Sequence, residues 1–341
     1  MEKNIKEDLS ALFKKCTSQK LVNITEIPPS GSYRQYFRLH GENQSYIGVY
    51  NSDVKENIAF LNYSEHFFSL GLNVPELFTI SEDKKTYLQE DLGGTGLFSI
   101  ILQGREKGFD KNLIGIFKQV LSELPKFQIM GHKGLDYSVA YPREKFDRQS
   151  MLWDLNYFKY YFLKLARISF DEQGLEDDFY TLIDFLLEVP QDYFLFRDFQ
   201  SSNIIIYKNK PYFIDYQGGR KGALQYDPAS FLFDAKADFP AELKNSLLDY
   251  YISRLNEDFN IDTKDFKKYY YPYVLIRIMQ AMGAFGFRGF YEKKPRFLES
   301  IPYTLKNLQW LIGNVSITVE IPELLKALEK ICKSKRLLEI A

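Results

Sequence analysis

Leu195-Phe196-Arg197-Asp198-Phe199-Gln200-Ser201-Ser202-Asn203-Ile204-Ile205-Ile206-Tyr207 runs on into Lys208-Asn209-Lys210-Pro211-Tyr212-Phe213-Ile214-Asp215-Tyr216-Gln217-Gly218. Three apolar runs here surround three polar anchors. Asp198 follows the first run. Asn203 stands five residues later, directly before Ile204–Tyr207, which reads as a strand. The polar turn at 208–210 makes a hairpin of this strand and the next, and Asp215 ends that second strand. The loop from Asp198 to Asn203 can turn both side chains inward, and the hairpin returns Asp215 beside Asn203.

Phosphoryl transfer needs this set of groups. One carboxylate orients the acceptor hydroxyl and takes its proton, the role expected of Asp198. An amide oxygen and a second carboxylate, expected from Asn203 and Asp215, hold magnesium against the nucleotide phosphates. Oxygen-only ligands suit magnesium, and no His or Cys stands nearby to suggest zinc. A lone Asp before a strand is usually a cap or turn residue. The three anchors together carry the reading.

The rest of the composition narrows the field. The formal net charge is −1, so no broad basic surface points to nucleic acid or an anionic membrane. Two cysteines, Cys16 and Cys332, stand at opposite ends, which argues against a disulfide framework and fits a reducing compartment. His40, His66 and His132 are scattered without zinc-ligand spacing. No apolar run approaches the roughly 20 residues needed to span a bilayer. The first helix, an amphipathic stretch with lysines and acids, has no apolar signal core. A cytoplasmic protein is expected.

The order of elements predicts an α+β fold in two lobes. Strands are expected at 21–27, 33–39, 45–50, 76–80 and 86–90. A helix over 54–70 is capped by Asp53 and closed by Gly71. Asp91-Leu92-Gly93-Gly94-Thr95-Gly96 is the densest glycine cluster and marks the lobe junction. Residues 1–92 are then a small β-rich nucleotide-binding lobe. Residues 93–341 form a larger catalytic and acceptor-binding lobe. Its helices are expected near 97–104, 110–130, 144–166, 175–187, 228–236, 240–257, 263–288, 295–312 and 321–336. Asp227-Pro228 reads as a helix N-cap followed by proline, with a bracing role for the acid.

The motifs around the three anchors resemble those of the aminoglycoside phosphotransferase and choline kinase superfamily, whose members have a two-lobed protein-kinase-like fold. Within it, four features look most like the bacterial N-acetylmuramate/N-acetylglucosamine anomeric kinases. They are Gly31-Ser32-Tyr33-Arg34-Gln35-Tyr36-Phe37-Arg38-Leu39, Leu88-Gln89-Glu90-Asp91-Leu92-Gly93, Arg197-Asp198-Phe199-Gln200 and Ile214-Asp215-Tyr216-Gln217. The resemblance covers roughly residues 25–310. It implies ATP and Mg2+ as cofactors, Asp198 as catalytic base, and Asn203 and Asp215 as metal ligands. It implies that Ser30, Gly31 and Ser32 form the turn over the phosphates, and that backbone groups near Gln89, Glu90 and Asp91 meet the adenine. The acceptor it implies is the anomeric hydroxyl of an amino sugar. A different small acceptor (an aminoglycoside, choline or a homoserine-like molecule) and a non-catalytic nucleotide-binding protein stay open beside it. Arg197, Gln200, Gln217, Arg277 and Arg288 are the candidates for acceptor contacts.

One departure stands out. Kinase-like folds place a lysine on the third strand to hold the α- and β-phosphates, and here that strand reads Tyr46-Ile47-Gly48-Val49-Tyr50. Either another cation takes over, with Arg38 the first candidate and Arg34 the second, or nucleotide binding is weakened.

Overall fold

The computed structural model describes residues 2–28, 34–257 and 261–340, with the backbone alone for residues 2–4. The expected phosphate turn at Ser30, Gly31 and Ser32 lies outside the described residues.

The chain opens with helix α1 (Glu2–Cys16) and then builds one antiparallel sheet. Its strands are β1 (Leu21–Ile27), β2 (Gln35–Gly41), β3 (Ser45–Tyr50), β4 (Leu77–Ile80) and β5 (Thr86–Glu90), in the spatial order β1-β2-β3-β5-β4. Alternation sorts the side chains between two faces. Phe37, Leu39, Tyr46 and Leu88 pack against Ile5, Leu9, Leu12 and Phe13 of α1. Gly48 is required here, because a Cβ would strike Leu9 and Leu39 at 2.8 and 2.7 Å. On the other face, Ile47, Val49 and Tyr87 join the main core.

Helix α2 (Val54–Ser69) crosses that second face. The Asp53 carboxylate accepts from the N–H groups of Lys55 and Glu56, and Gly71 follows the helix at φ 70°. Both ends are those expected. Three aromatics of α2 reach beyond the sheet. Phe60 stacks on Tyr216, the Tyr63 hydroxyl donates to the Gly219 carbonyl at 3.1 Å, and Phe67 packs on Phe127 and Phe194.

The remainder is mainly helical: α3 (Leu97–Lys107), α4 (Lys111–Pro125), α5 (Arg148–Phe158), α6 (Glu172–Leu186), α7 (Tyr226–Leu232), α8 (Ala241–Leu255), α9 (Thr263–Phe285), α10 (Pro295–Leu298), α11 (Ile301–Asn314), α12 (Pro322–Cys332) and α13 (Lys335–Leu338). The expected helix at 144–166 begins only at Arg148. Before it Lys145 makes an isolated bridge to Lys221, and the Phe146 N–H donates to the Lys221 carbonyl at 2.7 Å. Helices α4, α5 and α9 each run into a π segment, at Lys126–Met130, Lys159–Leu163 and Gly286–Tyr291. Helices α5 and α9 meet at backbone distance, since a Cβ on Gly283 would lie 3.0 Å from the Phe158 nitrogen. Four short strands interrupt the helices: β6 (Tyr193–Leu195), β7 (Ile204–Tyr207), β8 (Lys210–Phe213) and β9 (Arg220–Gly222). They pair as β6-β9 and β7-β8.

Candidate functional site

The hairpin β7-β8 turns at Lys208 and Asn209, with φ 49° and 61°, the left-handed pair that a two-residue turn needs. This returns the chain to the loop it left. The Ile214 N–H donates to the Asn203 carbonyl at 3.1 Å, so Asp215 stands beside Asn203. The Asn203 side-chain amide donates to the Asp198 carbonyl at 2.9 Å. That bond turns the amide's own oxygen away as a free metal donor, apart from a 3.3 Å contact from the Ser202 hydroxyl. The structure therefore brings Asp198, Asn203 and Asp215 together. Asn203 and Asp215 offer hard oxygen donors only. That fits magnesium, which commonly takes one or two protein ligands and completes its shell with phosphate and water.

The loop that carries Asp198 is pinned from behind. The buried Asp227 carboxylate accepts from the N–H groups of Phe196 at 2.9 Å and Arg197 at 3.2 Å. Burial pushes its carboxyl up to about 7, and the two N–H groups only partly oppose this. Asp227 is thus a brace. It is not the helix N-cap, because α7 starts one residue earlier at Tyr226 with Gln225 before it. Asp234 adds a second brace by accepting from the Ser201 hydroxyl at 2.6 Å.

Arg197, one of the expected acceptor contacts, stands as a brace too. It adopts φ 79°, a costly conformation outside glycine. Its guanidinium turns inward, bonds both oxygens of Asp154 at 2.5 and 2.6 Å, and lies over Phe146. Gln217 is similarly engaged, donating to Asp215 at 2.7 Å. Burial raises the Asp215 carboxyl pKa, and the Gln217 bond and the charge of Arg34 work against the shift. Arg288 is bound by both oxygens of Glu292 at 2.9 Å.

Arg277 does reach the site. Its guanidinium is held by Ser230 and Gln280, and one terminal nitrogen lies 3.9 Å from the Asp198 carboxylate. Beside it, Gln200, Asp234, Phe285 and Thr304 line a small cavity.

The two candidate cations differ sharply. Arg38 donates to both oxygens of Asp91, at 2.7 and 3.1 Å. Asp91 also accepts from Ser45 and from the Gly93 N–H, so this cluster fixes the link between the lobes. Arg34 is buried instead. It lies 3.6 Å from Glu56 and 5.3 Å from the Phe60 ring centroid. Burial alone would lower its pKa, but Tyr87, Tyr36, Glu56 and Asp215 together reverse that and raise it. Glu56 was not among the sequence candidates. Its only signal was an acid in the first turn behind the Asp53 cap.

These features together are those of the kinase fold in its small-molecule form. A choline kinase from Cryptosporidium parvum superposes with a TM-score of 0.60 at 14% identity, over 95% of this chain and 99% of that one. A spectinomycin phosphotransferase, solved with ADP and spectinomycin, gives 0.56 at 13% over 97% and 98%. In sequence, the chain is similar to two proteins named N-acetylmuramate/N-acetylglucosamine kinase. The one from Neisseria meningitidis is 25% identical over 225 residues, and the match spans 64% of each chain, just under two thirds of the relative. The one from Pseudomonas aeruginosa is 22% identical over 323 residues, 89% of this chain and 90% of that one. Both likenesses are those the motifs led one to expect. No family model matches the chain. Among the described residues, no helix is long and apolar enough to cross a membrane.

Proposed function

We propose that this chain is an ATP- and magnesium-dependent kinase that phosphorylates a hydroxyl of a small molecule, the anomeric hydroxyl of an amino sugar such as N-acetylmuramate or N-acetylglucosamine. The observation that carries this reading is the convergence of Asp198, Asn203 and Asp215 through two hydrogen bonds of the loop and hairpin. Asp198 takes the proton of the acceptor hydroxyl. The acceptor oxygen forms a bond to the γ-phosphorus as the bond to the ADP oxygen breaks. Asn203 and Asp215 would hold magnesium, which would supply positive charge against the phosphates.

Arg34, rather than Arg38, takes the place of the missing strand lysine in this reading. Arg38 is occupied by Asp91. Arg34 sits where it feels the charge of Asp215 and pairs with a helix acid, as the strand lysine does with its helix glutamate in kinases. Its fork suits phosphate oxygens.

The amino-sugar acceptor rests on the names of the two sequence relatives. A cytoplasmic location, where ATP is supplied, accompanies the proposal. The test is ADP release from ATP across a panel of amino sugars, aminoglycosides, choline and homoserine. Turnover on amino sugars supports the proposal. Turnover only on another class replaces the acceptor, and ATP binding without turnover on any acceptor replaces the kinase reading with a binding role.

A further inference from the structure

Arg197, Arg38 and Arg288 each close on a carboxylate, that of Asp154, Asp91 and Glu292 in turn. Arg277 on α9 differs. It is only 8% exposed, yet both of its hydrogen bonds go to uncharged groups. Its Nε donates to the Ser230 hydroxyl of α7 at 2.9 Å, and its Nη1 donates to the Gln280 amide oxygen at 2.8 Å. A guanidinium has more N–H groups than these two bonds use, and no further hydrogen bond reaches it among the described residues. The carboxylate it approaches, Asp198, stands 3.9 Å from Nη2, beyond hydrogen-bond length. Arginines this buried are normally paired with an acid. Here Ser230 and Gln280 fix the cation in place, and the acid beside it opens to solvent, with 44% of the Asp198 side chain exposed. A buried cation held only by neutral groups at the mouth of a site is prepared for an anion that arrives from outside.

We infer that Arg277 binds a carboxylate carried by the acceptor and so makes the site favour an acidic amino sugar over a neutral one. The inference rests on the kinase reading above. The acceptor hydroxyl must lie against Asp198 to lose its proton. A carboxylate on Arg277 then falls within the span of one sugar ring from that hydroxyl, because Arg277 and Asp198 are neighbours. N-acetylmuramate carries such a group and N-acetylglucosamine does not. Asp198 by itself would repel an acidic acceptor, and Arg277 stands where its charge offsets that repulsion. The planar fork can keep one terminal nitrogen toward Asp198 and give its remaining N–H groups to the incoming carboxylate.

The test is steady-state kinetics with N-acetylmuramate, its methyl ester and N-acetylglucosamine, on the wild type, Arg277→Gln and Arg277→Lys. The ester keeps the shape of the acid and loses its charge. The wild type should show a KM for the acid about 10- to 100-fold below that for the ester, the scale of a hydrogen bond to a charged group. Arg277→Gln should erase this difference by raising KM for the acid. Arg277→Lys should restore part of it, since the charge returns without the fork. If Arg277 served only to orient Asp198 or to hold the fold, Arg277→Gln would lower kcat on all three acceptors alike and leave the ratio of acid to ester unchanged. That result overturns the inference. So does a wild type that treats acid and ester alike, which needs no variant. Either result alongside turnover of N-acetylglucosamine sinks this inference alone. Turnover on none of the three sinks the amino-sugar kinase reading with it.

Discussion

Arg34 and Glu56 meet at the edge of the small sheet, with Nη2 3.6 Å from Oε2, and Asn51 donates to the same glutamate oxygen at 2.6 Å. The cation precedes β2 and the acid lies in the first turn of α2, so the pair ties the strand to the helix.

Arg34→Ala should therefore raise KM for ATP or lower turnover by about 10- to 100-fold, the scale of a lost bond to a charged group. Arg38→Ala should leave ATP kinetics within about threefold of wild type and lower the melting temperature, because Asp91 loses its partner. Steady-state kinetics and thermal melts of the two variants check this. The opposite pattern would return the phosphate to Arg38.

Asp198→Asn keeps the size and polarity of the side chain and removes its capacity to take a proton. Turnover should fall on the order of 10²–10⁴-fold. Nucleotide affinity and fold should persist, since Asn203 bonds the Asp198 backbone and not its side chain. Activity within a few fold of wild type would take Asp198 out of the base role.

Asp215→Ala should uncouple nucleotide from metal. Wild type should bind ATP much more tightly with magnesium than without, and the variant should bind equally in both conditions. Four calorimetric titrations decide it. Magnesium dependence that survives in the variant would show that the metal is held elsewhere.

Asp227 predicts a pH signature. Its native carboxyl titrates near 7, raised from 3.8 by burial. Between about pH 4 and 7 the native state thus keeps a proton that the unfolded chain has released. Stability from this group is full below pH 4 and declines as pH rises to 7, by at most about 1.4 kcal/mol per pH unit. Asp227→Asn cannot titrate and should lack that slope. Urea unfolding at pH 4.5, 6 and 7.5 should show wild type losing ground to the variant as pH rises. Parallel curves would mean that the carboxyl titrates normally.

Sequence patterns located what local chemistry governs. Strands β1, β3 and β5 begin and end where their turn residues predict, and the hairpin before Asp215 falls where the polar turn places it. Strand β9 was not legible. Its three residues carry no alternation, and they pair with β6 across most of the catalytic segment. The π segments were not legible either; where two of them pack, a Cβ on Gly286 would run into the Tyr161 carbonyl, a contact between distant segments that no local pattern announces. The choice between Arg34 and Arg38 was hidden for a similar reason. Both precede or occupy β2 with the same parity, and only the positions of Asp91 and Glu56 separate them.

Helix α2 belongs to the small lobe in sequence and to both lobes in packing. Phe60, Tyr63 and Phe67 rest on Tyr216, Phe194 and Phe127, and the Ser64 and Tyr216 hydroxyls bond at 2.6 Å. A chain severed between residues 92 and 93 would leave one fragment with three bare aromatic rings and the other with the socket for them. Each piece would be sticky alone and competent only in the company of the other. The glycine-rich stretch thus divides a path of polypeptide, and the aromatic packing runs straight through it.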